Sequence, residues 1–270
     1  MAIITISRGS YSKGKEVAEK VASRLGYDCI SREVLLEASK FYNIPEIQLT
    51  RAIHDAPNIL DRFKHSKQAY IAYIRSALTQ RAKRDNIVYH GLAGHVLLKG
   101  VPHVLKVRIT ARLEDRISAE MARESIGEKE ARSLLLEDDE ERRRWTKGLY
   151  GVDPWDSMLY DLVIRIYKLS VEDAVDFICQ AAVREKFRTT DASRQKMEDL
   201  ALACQMKAFL VNAFSDVAVT SEYGNVIVYT KTQERQSHKL KEKAKSLKGK
   251  MEGINNLEVH AGLPYPPNAV

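Results

Sequence analysis

Residues 2–26 constrain this chain more than any other stretch. Ile3 to Ile6 form an apolar, β-branched run, which suits a strand buried on both faces of a parallel sheet. "SRGSYSKGKE" follows, and Gly9, Gly14 and Lys15 within it make the frame Gly-x-x-x-x-Gly-Lys. Val17, Val21, Ala22 and Leu25 then recur at helical spacing until Gly26, a residue suited to ending a helix. Strand, glycine loop and helix in this order give the frame its meaning. Backbone N–H groups of such a loop and of the helix N-terminus converge on phosphate oxygens. The candidate phosphate-binding residues are Gly9, Ser10, Ser12, Lys13, Gly14, Lys15 and Glu16. Gly9 permits the tight turn, Gly14 lets backbone approach the phosphates, and Lys15 reaches them as a point charge.

Glu16 stands where such a loop usually carries Ser or Thr, whose hydroxyl ligates Mg²⁺. A carboxylate is also a hard oxygen donor and a candidate metal ligand. It equally complements the dipole of the first helical turn. The sequence leaves both readings open.

The remainder extends an α/β pattern. "YDCI" (27–30), "NIVYHGLAG" (86–94), "HVLKVRIT" (103–110) and "DLVIRIY" (161–167) read as strands, with helices over "REVLLEASKFY", over 66–84 and from Ser170 onward. Ser170 and Asp173 form a capping box. Alternating strands and helices predict a parallel sheet flanked by helices. Residues 184–195 are polar and aperiodic and read as a linker. Beyond it an amphipathic helix (196–214), a hairpin turning at Gly224-Asn225, a Lys-rich helix (234–248) and a last strand form a small α+β unit of α-β-β-α-β order. The tail 263–270 reads as extended or loose.

The formal charge is +7, which favours anionic partners without choosing among them. Three cysteines far apart suggest neither a zinc site nor a disulfide framework and fit a reducing, cytoplasmic setting. No apolar run approaches the ~20 residues of a membrane span. His54, His65, His90, His95 and His103 show no metal-ligand spacing; His90, at a strand end, reads as a wall residue. The Lys-rich helix is a solvated face or a surface for anionic lipid. Without interleaved aromatics it does not read as a nucleic-acid surface.

"IITISRGSYSKGKEVAEKVASRLGY" followed by "SREVL", with "VPHVLKVRITARLEDRI" and "GLYGVDPWDSMLYDLVI", resembles the cytidylate kinase-like family of P-loop proteins over roughly residues 1–185. The pair Lys15-Glu16 matches that family's variant loop. The resemblance implies a fold like that of the nucleoside monophosphate kinases, with a mobile acceptor arm and an Arg-bearing lid. It also implies ATP with Mg²⁺, and a nucleoside monophosphate or other small phosphorylated acceptor. In lid order, Arg123, Arg142 and Arg143 join Lys15 as candidate catalytic residues, within a segment that also holds Arg112, Arg116, Arg132, Arg144, Lys129 and Lys147. Arg32, at the start of the acceptor arm, and Asp153 and Asp156 are candidate substrate contacts. A carboxylate in this stretch, Asp153, Asp156 or Asp161, can orient an acceptor or hold an arginine in place; Asp156 reads equally as a helix cap, and Asp153 as a turn residue before Pro154. Cytidylate kinases carry Gly-Arg-Asp after the third strand; here the stretch is Gly91-Leu92-Ala93. Residues 196–262 resemble a BON domain in element order, an association that implies lipid or protein binding.

Overall fold

The structure, a computed structural model, describes residues 2–9, 12–54, 64–91, 93–231 and 234–270. Ser10 and Leu92 therefore lie outside the described residues.

Five strands form the first sheet: β1 (Ile3–Arg8), β2 (Asp28–Ile30), β3 (Ile87–Tyr89), β4 (Val104–Ala111) and β5 (Leu162–Ile166). Their order is β2-β3-β1-β4-β5, and every pairing is parallel. β1 is central and its residues 3, 4 and 6 are almost fully buried, as an apolar run without alternation requires. Helices cover both faces. On one, α1 (Gly14–Leu25) and the later helix Val171–Ala182 bury Val17, Val21, Ala174 and Ile178 against Ile4, Ile6 and Val107. On the other lie α2 (Glu33–Tyr42), α3 (Glu46–His54) and α4 (Lys64–Ala82). There Val34, Ala38, Tyr73 and Leu78 pack with Ile3 and Ile87. After β3 comes a short α5 (Gly94–Leu97). Between β4 and β5 stand α6 (Leu113–Glu124) and the long α7 (Glu128–Tyr150). Val171–Ala182 is α8, and its Ser170–Asp173 capping box is present.

The stretch read as a linker is structured. A 3₁₀ turn occupies Glu185–Phe187, and α9 runs Asp191–Leu210 behind a Thr190–Ser193 capping box. This helix is apolar on two faces, not one. Met197, Ala201, Ala208 and Val211 join the core of α2 and α4. Leu202, Met206 and Leu210, four residues apart, join a second core beneath a three-stranded sheet. That sheet holds β6 (Ala218–Glu222), β7 (Asn225–Thr230) and β8 (Asn256–Ala261); β6–β7 is antiparallel and β7–β8 parallel. The helix between β7 and β8, α10, spans Glu234–Lys248.

The hairpin turns one residue earlier than read, at Tyr223-Gly224. Both have positive φ, 49° and 73°, the pattern that suits the right-handed twist of a hairpin. Asp199 of α9 holds this turn: it accepts from Ser221 Oγ and from the Tyr223 and Gly224 N–H groups at 2.9–3.0 Å. The tail is not loose. Val270 is buried and exchanges two backbone hydrogen bonds with Val219.

Candidate functional site

Parallel α/β sheets place ligands beyond the carboxyl ends of their strands, where strand order reverses. Here that point lies at β1, between β3 and β4. A cavity of about 340 Å³ opens there. Ser7 and Arg8 of β1 line it, with Gly9 and Ser12 of the loop, Arg108, Thr110 and Ala111 of β4, and Arg116 of α6. Asp139, Arg142 and Arg143 of α7 face it, with Ala93, His95 and Trp155. Strand register explains part of this convergence: Ser7 pairs with Arg108, and Arg8 with Ile109.

The loop is built tightly. Ser12 is buried, and its hydroxyl donates to the Gly9 carbonyl at 3.0 Å. Lys13 takes a left-handed φ of 60° and starts α1 without a side-chain cap. Among the described residues the helix start has no side-chain cap from Lys13, and N–H groups at such a start can meet an anion. Gly14 is needed for a close approach, though to a side chain: a Cβ there would lie 2.6 Å from Arg8 Cβ.

Among the described residues, five arginines and one aspartate line the cavity. Arg116 is largely buried and pairs with Asp139 at 2.8 Å, beside Gly9. Arg143 is held by Asp153 at 2.7 Å and lies 4.2 Å from the Trp155 ring centre, a cation–π distance. Asp153 also pairs with Lys147 at 2.8 Å. The Arg143 and Lys147 hydrogen bonds hold its carboxyl well below the usual carboxylate range. Arg108 donates to the Pro154 carbonyl.

The sequence candidates divide accordingly. Gly9, Ser12, Arg142 and Arg143 line the cavity. Asp153 holds Arg143 in place. Asp156 caps the turn Ser157–Leu159, accepting from the Met158 N–H. Lys15 is 64% exposed and sits 3.6 Å from Glu19. Glu16 lies 3.3 Å from Lys20 in the first turn of α1. Neither lines the cavity. Arg32 is 75% exposed and pairs with Glu46 at 2.6 Å. Arg123 pairs with Glu120 at 2.9 Å and Glu124 at 2.7 Å, away from the cavity lining.

Sequence reasoning did not single out Arg8, Arg108, Asp139, His95 or Trp155. For the first two a signal existed: a charged residue at the carboxyl end of a buried parallel strand. The glycines after β3 serve packing. A Cβ at Gly91 would lie 2.2 Å from Tyr89 Oη, and one at Gly94 2.6 Å from its ring.

Burial lowers the pKa of three histidines, His90, His95 and His103. His95 is pushed down to about 4, with Arg108 and Lys106 adding to burial. In His103 burial outweighs Asp85, 3.1 Å away. Histidines kept neutral by the fold take up protons only on unfolding. Above an ordinary histidine pKa of 6.5 they give no pH slope. As pH falls below that value the unfolded chain binds more protons and stability drops, for His95 down to about 4. Urea unfolding across that range should show this decline, at most about 1.4 kcal/mol per pH unit for each histidine. His95→Gln should flatten it; a variant profile parallel to wild type would count against the burial argument.

A family model described as the cytidylate kinase-like family matches residues 3–168, and the chain belongs to that family. A cytidylate kinase of Pyrococcus horikoshii is 26% identical over 201 residues, covering 73% of this chain and 96% of the relative. A cytidylate kinase of Methanopyrus kandleri is 34% identical over 112 residues, covering 38% of this chain and 58% of the relative. Against the latter the chain spans little more than half of the relative's length. The crystal structure of an uncharacterized protein from Eubacterium ventriosum matches with a TM-score of 0.52 at 21% identity, over 68% of this chain and all of that one. That likeness concerns the fold. Among the described residues no helix is long and apolar enough to cross a membrane.

Proposed function

We propose that this chain is a nucleotide kinase that transfers a phosphoryl group from ATP to a nucleoside monophosphate, CMP being the first candidate, or to a similar small phosphate acceptor. The observation that carries this reading is the convergence of Arg8, Arg108, Arg116, Arg142 and Arg143 beside the Gly9–Gly14 frame. Phosphoryl transfer asks a protein for positioning and charge neutralisation more than for covalent chemistry. Five guanidiniums against one carboxylate fit a polyphosphate. The open α1 N-terminus cradles its non-bridging oxygens, and Lys15 swings in from solvent to meet them. Arg116, Arg142 and Arg143 come from the α6–α7 segment and face the charge that develops during transfer. Asp153 keeps Arg143 aimed.

Mg²⁺ in such sites is held by one or two carboxylates and by substrate phosphates, so the lack of a three-ligand cluster among the described residues is no obstacle. Glu16, exposed and tethered by one lysine, is the carboxylate that would hold it. Bound there, the ion supplies neutralisation of phosphate charge.

ADP release coupled to a spectrophotometric readout, with CMP, UMP and AMP as acceptors and Lys15→Ala as control, tests the reading. Turnover with at least one acceptor is expected; none above the control with any acceptor sinks it. A second reading, a nucleotide-binding regulatory module without transfer, is favoured by Ala93. It lines the cavity near where related kinases carry an acceptor-binding arginine. ATP binding in a calorimeter without turnover would select it.

For the BON-like residues 196–262 the reading is an anchor for anionic lipid. Lys239, Lys241, Lys243, Lys245, Lys248 and Lys250 are all exposed on or just beyond α10, and such a face is drawn to anionic surfaces. Salt-sensitive co-sedimentation of the full chain with phosphatidylserine vesicles is expected, and its absence would rule lipid out.

A further inference from the structure

His95 is a residue of this cavity that phosphate chemistry does not use. It is the second residue of α5, directly after β3, and is 5% exposed. It lines the cavity together with Arg108 and Ser7. Its Nε2 lies 3.4 Å from Tyr160 Oη.

The proton on that hydroxyl can be placed. Tyr160 Oη is 2.9 Å from the Pro154 carbonyl, a group that only accepts, so the tyrosine donates there. Its oxygen then accepts from its other neighbours. Arg108, 3.4 Å away, can only donate to it. An imidazole facing an accepting oxygen carries its proton on Nε2. The ring has no second proton, because burial beside Arg108 disfavours the cation. Nδ1 is thus a bare acceptor. It is buried and, among the described residues, has no hydrogen-bond partner. A buried acceptor left unsatisfied is unfavourable, and a ligand donor would remove that penalty.

We infer that His95 selects the acceptor: its Nδ1 accepts a hydrogen bond from a hydroxyl or amino group on the phosphorylated substrate. The arginines read the phosphate, and His95 reads a donor within reach of it. The inference rests on the nucleotide-kinase reading and deepens it by naming the chemistry of the acceptor. A sugar hydroxyl and the exocyclic amine of cytosine share that chemistry.

The experiment uses the full chain with ¹⁵N-labelled histidine. In the free protein the His95 Nδ1 resonance should be that of a nitrogen with an open lone pair, and Nε2 should carry the proton. CMP should move the Nδ1 resonance toward the hydrogen-bonded position, and ATP alone should not. Three analogues separate the two sources. dCMP lacks the 2′-hydroxyl, 2′,3′-dideoxy-CMP lacks both ring hydroxyls, and UMP replaces the amine by a carbonyl. The analogue missing the right donor should bind about tenfold more weakly, as expected when a site's buried polar group is left unmatched. In His95→Leu that discrimination should vanish, with affinity for CMP falling to the analogue's level; His95→Gln should restore part of it.

A proton found on Nδ1, or a resonance unmoved by every monophosphate, would overturn the inference, and both readouts need only the wild-type chain. An equal CMP-to-analogue ratio in wild type and His95→Leu would overturn it as well. The two readings fail separately. Monophosphate binding that shifts His95 without ADP release sinks the kinase and keeps the selector. ADP release with a silent His95 does the reverse.

Discussion

Ala201→Asp should lower the unfolding free energy by about 3–5 kcal/mol, the scale of an uncompensated buried charge. Ala201 is fully buried where α9 meets α4, and its carbonyl accepts from Gln80 Nε2 at 3.5 Å. Gln80 also donates to Gln205 at 3.2 Å, and Phe209 packs within 6 Å of Phe41 and Tyr42. Small residues on α4 (Ala69, Ala72, Ala77) share this core with Ala201 and Ala208. A side chain with charge and no partner therefore has nowhere to go. Because α9 is buried on two faces, damage on one should be felt across the chain. Both tryptophans, Trp145 and Trp155, lie before residue 190, and Trp145 shares the core that α9 completes, so their fluorescence reports that core and not the second sheet. Ala201→Asp should shift that signal in urea along with the far-ultraviolet circular dichroism. Residues 1–188 expressed alone should be insoluble or unfolded, because removing α9 uncovers the core of α2 and α4. A soluble fragment of wild-type stability would refute the argument.

This seam also marks where the sequence stopped being informative. Local patterns were readable: β1 from its β-branched run, α1 from Val17, Val21 and Gly26, the Ser170–Asp173 cap, and the Lys-rich helix at its observed bounds. α9 was readable only in part: its body shows as an amphipathic helix over 196–214, but a helix buried on two sides has no single apolar stripe, and its second buried face went unseen. Its first turns, "TDASRQ", look like linker in composition. The tail likewise reads as loose until its partner, Val219, is known. Site residues follow the same logic. The loop was visible because its residues are contiguous. Arg8 and Arg108 lie a hundred positions apart and meet only because β1 and β4 are neighbours in register. Lid order alone did not separate Arg123 from Arg116, since helical phase against the loop decides which one faces the cavity. Asp199 carries no motif. Its importance lies in three donors brought to it by a hairpin about 22–25 residues away.

Arg116→Ala should reduce kcat/KM for phosphoryl transfer by about 10³, while Arg123→Ala should change it by less than about threefold. An arginine that meets the transferring phosphoryl group contributes on the order of 10³–10⁵ in turnover. Arg116 is placed for this: it is 8% exposed, held by Asp139 and packed over Gly9. Arg123 is half exposed and spends its charge on Glu120 and Glu124. The exposed pair with Glu124 contributes little even to stability; Glu120 is buried, so losing its partner is a cost to folding and not to transfer. A second effect needs separating from the first. Without Arg116, the Asp139 carboxylate remains beside the loop and repels the incoming phosphates. The double variant Arg116→Ala/Asp139→Ala removes that repulsion. It should regain nucleotide affinity, seen as a recovered KM for ATP, while kcat stays low, because no cation has been returned to the transferring group. If kcat recovers as well, the loss in the single variant was repulsion by Asp139, and Arg116 serves only to neutralise it. If Arg123→Ala is the more damaging of the two single variants, the lid must reach the loop in a different helical phase, and the cavity at β1 and β4 is not where transfer occurs.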